Sequence, residues 1–324
     1  MQKKILLTIM VLMLALFVAG CSGNNTPVGS SQFVGGTDGI SFEFLAGSPP
    51  DEIFDNGEYG FSISVQARND GEYDLEASEG YIEIEGISAA EFGVSQSELM
   101  QDIPPLFGNE KTAEGDVING DLDVISFDGL NYQQDIAGNL DNTIIRAVAC
   151  YNYKTQASAN ICIKDEAIDQ ASQDDVCNIV GSKAVSNSGG PIHISQVTES
   201  SRGKDGIQIS FTIANMGEAN DRFFKVDTDC NRKVNNPDKD IVFIDVGALD
   251  NGRLNARCSG FKDGNGGSNG FVYLPGGESR IVTCSYDTAS VNNDFETRVN
   301  VELSYRYMQY IEKPILIKDI GGSN

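Results

Sequence analysis

A strand pattern that occurs twice constrains this chain more than any other feature. Phe61, Ile63, Val65 and Ala67 alternate with Ser62, Ser64, Gln66 and Arg68, and the run ends in Asn69-Asp70-Gly71-Glu72. Ile207, Ile209, Phe211 and Ile213 alternate with Gln208, Ser210, Thr212 and Ala214 in the same phase, and that run ends in Asn215-Met216-Gly217-Glu218. Successive side chains of a strand point to opposite faces, so each run predicts a strand with one buried face, and Asn and Gly suit the turn that follows. A second match lies further on. Tyr151-Asn152-Tyr153 precedes Ile161-Cys162-Ile163-Lys164-Asp165, and Tyr305-Arg306-Tyr307 precedes Ile315-Leu316-Ile317-Lys318-Asp319 at identical spacing. The two copies are offset by 146 residues at the first match and by 154 at the second. A difference in loop length accounts for that change in a diverged repeat.

Each Tyr-x-Tyr ending reads as a two-stranded hairpin that closes its copy. The expected organisation is a first domain at 39–166, an acidic linker at 167–189, a second domain at 190–320 and a short tail at 321–324. Helical periodicity is scarce. The best case is short, where Ser95 and Glu98 form a capping box before Leu99, with Pro104 and Pro105 beyond. Many alternating runs separated by Gly and Asn turns predict an all-β fold of two tandem antiparallel β-sandwich domains.

The N-terminus gives an address. Lys3 and Lys4 precede an apolar run from Ile5 to Ala19, which predicts a signal peptide over 1–20 and is short for a spanning helix. Val18-Ala19-Gly20-Cys21 resembles the lipobox of prokaryotic lipoproteins, which implies that Cys21 is lipidated and becomes the new N-terminus. Residues 21–38, rich in Ser, Gly and Asn, are expected to form a flexible tether with a reach of about 20 Å. The expected location is extracytoplasmic, with the lipid as the membrane anchor.

Charge narrows the partners. The chain holds 23 Lys+Arg against 47 Asp+Glu, and the leader's two lysines contribute to the smaller number. Nucleic acid and anionic lipid both call for a basic surface, so neither is an expected partner. Of seven cysteines, six remain once Cys21 is set aside for lipid, an even set for disulfides in an oxidising compartment. Cys150 and Cys162 align with Ser304 and Leu316 in the second copy, and their joint absence there predicts that they bond each other across the hairpin. Cys258 and Cys284, near strands of the second domain, are expected to pair, leaving Cys177 to bond Cys230.

An alternating strand running into Asn-x-Gly, in tandem units on an exported chain, resembles the immunoglobulin-like modules of the cell-adhesion-related (CARDB) type on bacterial and archaeal surfaces. Tandem modules with several cysteines also resemble uncharacterised archaeal surface proteins. The resemblance implies immunoglobulin-like sandwiches and a role in adhesion or envelope assembly, with a surface protein or glycan as partner, and no reaction.

No enzyme signature is evident. His193 and Ser195 share a strand, but His193 is the only histidine and sequence adjacency on a strand makes no dyad. The Gly-rich segment from Asp263 to Gly270 reads as a loop rather than a phosphate cradle, because no helix pattern follows it. One constellation suggests a metal. Asp227, Asp229, Asn231, Asn235 and Asp238 stand at positions 1, 3, 5, 9 and 12 of a calcium loop. Arg232 occupies the position that calls for Gly, and an acidic inter-strand loop without metal is the competing reading. Asp227, Asp229, Asn231 and Asp238 are therefore the candidate calcium ligands, and no other cofactor is expected. The functional expectation is a non-enzymatic, lipid-anchored protein displaying two sandwich domains. The alternative is a ligand- or solute-binding lipoprotein, or an accessory subunit of a transport or secretion complex.

Overall fold

Ten principal strands follow one another in two sets of five. A computed structural model of the chain describes residues 31–168, 176–233, 235–264 and 266–321. The leader, Cys21 and most of the proposed tether lie outside the described residues. The first set is β1 (Ile40–Phe44), β2 (Phe61–Asn69), β3 (Gly80–Glu85), β4 (Leu122–Leu130) and β5 (Leu140–Ile163). The second is β6 (Ile192–Ser201), β7 (Gly206–Asn215), β8 (Ile241–Val246), β9 (Ser279–Asp287) and β10 (Phe295–Lys318). The chain is all-β, and no α-helix occurs among the described residues.

The two alternating motifs are β2 and β7, and they bury the expected side chains. Ile63, Val65 and Ala67 are fully buried, as are Ile207, Ile209, Phe211 and Ile213. Each strand is the centre of its own sheet, β1-β2-β4 in the first repeat and β6-β7-β9 in the second. The facing layer is one larger sheet that both repeats build together, in the path (Asn269–Tyr273)-β8-β10-β5-β3-(Met100–Asp102). The expected helix at Ser95 is a single 3-10 turn, Gln96–Leu99, with Glu98 accepting a hydrogen bond from the Ser95 N–H at 2.7 Å.

The expected hairpins do not form. Each Tyr-x-Tyr ending is the middle of an uninterrupted strand of 24 residues, β5 or β10. No Gly, Pro or Asn-Gly pair interrupts the segment between Tyr153 and Ile161, so nothing there favours a turn over continued pairing. Instead β5 and β10 pair with each other, antiparallel, along almost their whole length. Tyr151 faces Tyr307, Asn152 faces Arg306 and Tyr153 faces Tyr305. The repeats are therefore related about the middle of this pairing as two copies in a symmetric dimer would be.

Long strands let each repeat complete the other. The first half of β5 pairs with β3 of its own repeat, whereas its second half runs into the opposite repeat. There Ala157 and Ala159 meet Val185, Ile194, Val197 and Phe211, and the Cys162 N–H donates to Glu199 of β6 at 3.1 Å. The end of β10 crosses the other way. Leu316–Lys318 pair in parallel with Glu52–Phe54, and Lys313 Nζ reaches the Pro49 carbonyl at 2.6 Å. One continuous core results, holding residues such as Ile63, Tyr153, Phe211 and Tyr305 together.

The cysteine pairing changes accordingly. The bonds are Cys150–Cys230, Cys162–Cys177 and Cys258–Cys284. Cys258 and Cys284 are direct cross-strand partners, as expected. Cys150 and Cys162 cannot bond each other, because 12 residues of extended strand separate them by about 40 Å, against roughly 4 to 7 Å between the Cα atoms of a disulfide. That also removes the pairing of Cys177 with Cys230. Both cysteines of β5 instead tie a flanking segment onto it. The linker is partly absorbed as well: Gly181–Lys183 pairs with β6 and Val185–Asn187 pairs with β5. Of the tether, residues 33–35 are docked. Phe33 is buried, and Glu72 accepts hydrogen bonds from the N–H groups of Val34, Gly35 and Gly189. Three disulfides fit an oxidising, extracytoplasmic environment.

Candidate functional site

Four tyrosines occupy the seam between the repeats. Tyr151, Tyr153, Tyr305 and Tyr307 are all buried, and neighbouring ring centroids lie 6.0 to 6.2 Å apart around a closed circuit. Their hydroxyls are engaged. Tyr305 shares a hydrogen with Thr155 at 2.8 Å, Tyr307 donates to Asp221 at 2.8 Å, and Tyr151 accepts from Gln309 at 2.9 Å. Burial pushes all four phenols upward, so each holds its proton under ordinary conditions. This cluster packs the seam between the repeats.

Beside it lies the acidic loop nominated for calcium, and its carboxylates are not grouped around one point. The Asp227 carboxylate accepts from Asn152 Nδ2 at 2.8 Å, and the Asn231 side-chain oxygen accepts from the Lys233 N–H at 3.0 Å. Asp229 and Asp238 meet this loop through their main chains, by bonds to the N–H of Asn231 and to Asn236 Oδ1. Among the described residues, no three His, Cys, Asp or Glu side chains are grouped to hold a metal. What the loop does have is a fixed mooring. Cys230 bonds Cys150 on β5, and the Arg306 guanidinium donates to Asn152 Oδ1 at 3.2 Å between them.

His193 is half-buried on β6, and burial lowers its pKa, which favours the neutral imidazole. Ser195 turns its hydroxyl to the Thr212 carbonyl at 3.2 Å, beside a bulge between Ile194 and Gln196. The structure thus brings no nucleophile and base together at this pair.

Sequence reasoning missed a basic cleft at one end of the second repeat. Its cavity is about 460 Å³ and is lined by Arg202, Arg253 and Arg257 with Ser285, Asp287 and Ser290. Each arginine arrives by a different route. Arg202 stands in the β6–β7 turn, which is closed by its N–H donating to the Gly206 carbonyl at 2.7 Å. Arg253 follows the 3-10 turn Asp250–Gly252, and Arg257 opens the short strand Arg257–Ser259 that the Cys258–Cys284 bond holds against β9. Opposite them, Asp287 Oδ1 caps the Ala289 N–H at 3.0 Å, and the Ser285 hydroxyl donates to the Arg257 carbonyl at 3.2 Å. Up to 55 residues separate these arginines in sequence, so only the fold unites them. Two further cavities, about 340 and 360 Å³, flank Gln32 and Phe33. Both include Glu302, which pairs with Lys154 at 3.3 Å. No family model matches the chain, and no curated protein matches it.

Proposed function

We propose that this protein is a non-enzymatic, extracytoplasmic binding protein, anchored through a lipid on Cys21, that presents its fused sandwiches for adhesion or envelope assembly. The observation that carries the reading is the shared sheet. Two repeats joined by the β5–β10 pairing and the Cys150–Cys230 bond, with two further disulfides bracing the linker and the second repeat, make a stiff body suited to holding a binding surface away from a membrane. The resemblance to CARDB-type immunoglobulin-like modules and the lipobox point the same way. Proximity labelling on intact cells tests this, with tagged wild-type protein and a Cys21→Ser variant. Surface neighbours should be labelled by the wild type, and Cys21→Ser should appear in the medium or keep its leader. A variant still membrane-bound after leader removal would refute the lipid anchor, and exclusively cytoplasmic neighbours would refute surface display.

The ligand-binding alternative is favoured by one feature, the arginine-lined cleft.

A further inference from the structure

We propose that the cleft between Arg202, Arg253 and Arg257 is a binding site for an anionic glycan, one whose sugars carry carboxylate or sulfate groups beside free hydroxyls. This rests on the reading of the protein as a surface binding protein and supplies the chemistry of its ligand.

The first argument is the distribution of charge. Acids outnumber bases about two to one, and most guanidiniums already have partners: Arg146 and Arg232 pair with Glu85, Arg222 with backbone carbonyls, and Arg306 with Asn152. Arg202 and Arg257 have no ion pair among the described residues, and Arg253 reaches Asp250 only at 3.5 Å with most of its side chain exposed. Three cations line one concavity in a chain where carboxylates are abundant enough to neutralise them. Their mutual repulsion is relieved by an anion entering the cleft, and the forked guanidinium matches the paired oxygens of a carboxylate or sulfate.

The second argument selects the ligand. Asp287 lines the same cleft, together with Ser285 and Ser290. A small dianion such as inorganic phosphate would meet the Asp287 carboxylate at close range. A sugar acid spreads one charge over a larger body and has hydroxyls to donate to Asp287 and to exchange with the serines. The volume of about 460 Å³ falls within the range of small-ligand sites. One side of the cleft is built on the end of β9 and on the short strand Arg257–Ser259 that is disulfide-bonded to it.

The test is equilibrium binding of the full chain to polygalacturonate, dextran sulfate, neutral dextran and inorganic phosphate. It is run in about 0.1 M salt, where repulsion from acids beyond roughly 10 Å is screened. The wild type is compared with Arg202→Ala/Arg257→Ala and with Arg280→Ala. Arg280 lies on β9 about 20 Å from Asp287 by strand rise, and its removal changes the charge by one without touching the cleft. Binding to a charged polymer but not to dextran, weakened about tenfold or more in the double variant and retained in Arg280→Ala, is expected. Whichever charged polymer binds more tightly identifies the anionic group. Binding of neither charged polymer, equal loss in Arg280→Ala, or phosphate bound as tightly as polymer would overturn the proposal. Surface labelling that persists under any of those results leaves the display reading standing, so the two fail separately. Far-UV circular dichroism confirms that the double variant is folded, and if it is not, Arg257→Gln alone is used with the same criteria.

Discussion

Asn152 and Arg306 face each other at the centre of the β5–β10 pairing, and residues equally far to either side of them are repeat equivalents. Tyr151 thus meets Tyr307, and Tyr153 meets Tyr305, which places all four tyrosines in one cluster. The two repeated motifs also meet in space. A Cβ on Gly71 would lie 1.8 Å from the Tyr153 hydroxyl, and one on Gly217 would lie 1.9 Å from the Tyr307 hydroxyl. The Asn-x-Gly turn needs glycine in both copies because a tyrosine tip fills the space.

Gly71→Ala and Gly217→Ala should both destabilise the protein, by about 1 to 3 kcal/mol or more. Gly71→Ala should cost more, since its Cβ would also press on the Asp38 and Gly189 carbonyl oxygens at 2.9 Å. Around Gly217 the other close atoms belong to side chains. Adding Tyr307→Phe should recover part of the loss in Gly217→Ala, whereas Tyr153→Phe should recover little in Gly71→Ala. Urea denaturation of both double-mutant cycles checks this, and equal recovery would contradict it.

The alternating strands, their buried faces and the sandwich class were legible because a period of two is written directly into β2 and β7. The Cys258–Cys284 pair was legible for the same local reason. What misled was Tyr-x-Tyr followed eight residues later by Ile-x-Ile, which fits two short strands and one long strand equally well. Only the partner decides between them, and for β5 that partner is β10, about 150 residues away. The Cys150–Cys162 assignment failed with the hairpin it was to cross, and the Cys177–Cys230 assignment, reached by elimination, failed with it. The basic cleft left no local signal at all, because its arginines come from a turn, a 3-10 segment and an edge strand.

Peptide mapping without reduction should recover Cys150 with Cys230, Cys162 with Cys177 and Cys258 with Cys284. Their sequence separations differ, 80 residues for the first and 15 for the second. On the loop-entropy model, replacing Cys150 and Cys230 by serine should cost about 4 to 5 kcal/mol, and replacing Cys162 and Cys177 about 3 kcal/mol. The reverse order in denaturant midpoints would mean that strain or residual structure, and not loop length, governs these bonds.

Glu199 is buried with its Oε2 paired to Lys183 Nζ at 2.9 Å. Removing the cation by Lys183→Met strands a buried carboxylate, which should cost about 3 to 5 kcal/mol at neutral pH. Desolvation already raises the pKa of Glu199 in spite of Lys183, so losing the lysine should raise it further. The deficit of Lys183→Met should therefore shrink as the pH is lowered toward 4.5 and Glu199 becomes neutral. Melting temperatures of wild type and variant across that interval check the effect, and a constant gap would exclude it.

Asp221 gives the opposite kind of pH dependence from the usual acid denaturation. Burial raises its pKa above the ordinary 3.8, although the hydrogen bond from Tyr307 opposes the shift. The native state consequently binds more protons than the unfolded chain between 3.8 and the raised value. Its contribution to stability is fully present below 3.8 and is lost as the pH rises through the folded value. Asp221→Asn still offers Tyr307 an acceptor but cannot ionise, so this loss should vanish in the variant. The melting temperature of Asp221→Asn relative to wild type should be lowest near pH 3.8 and climb toward neutrality. A difference that stays flat from pH 4 to 7 would mean that Asp221 titrates at its ordinary value despite its place under the tyrosine cluster.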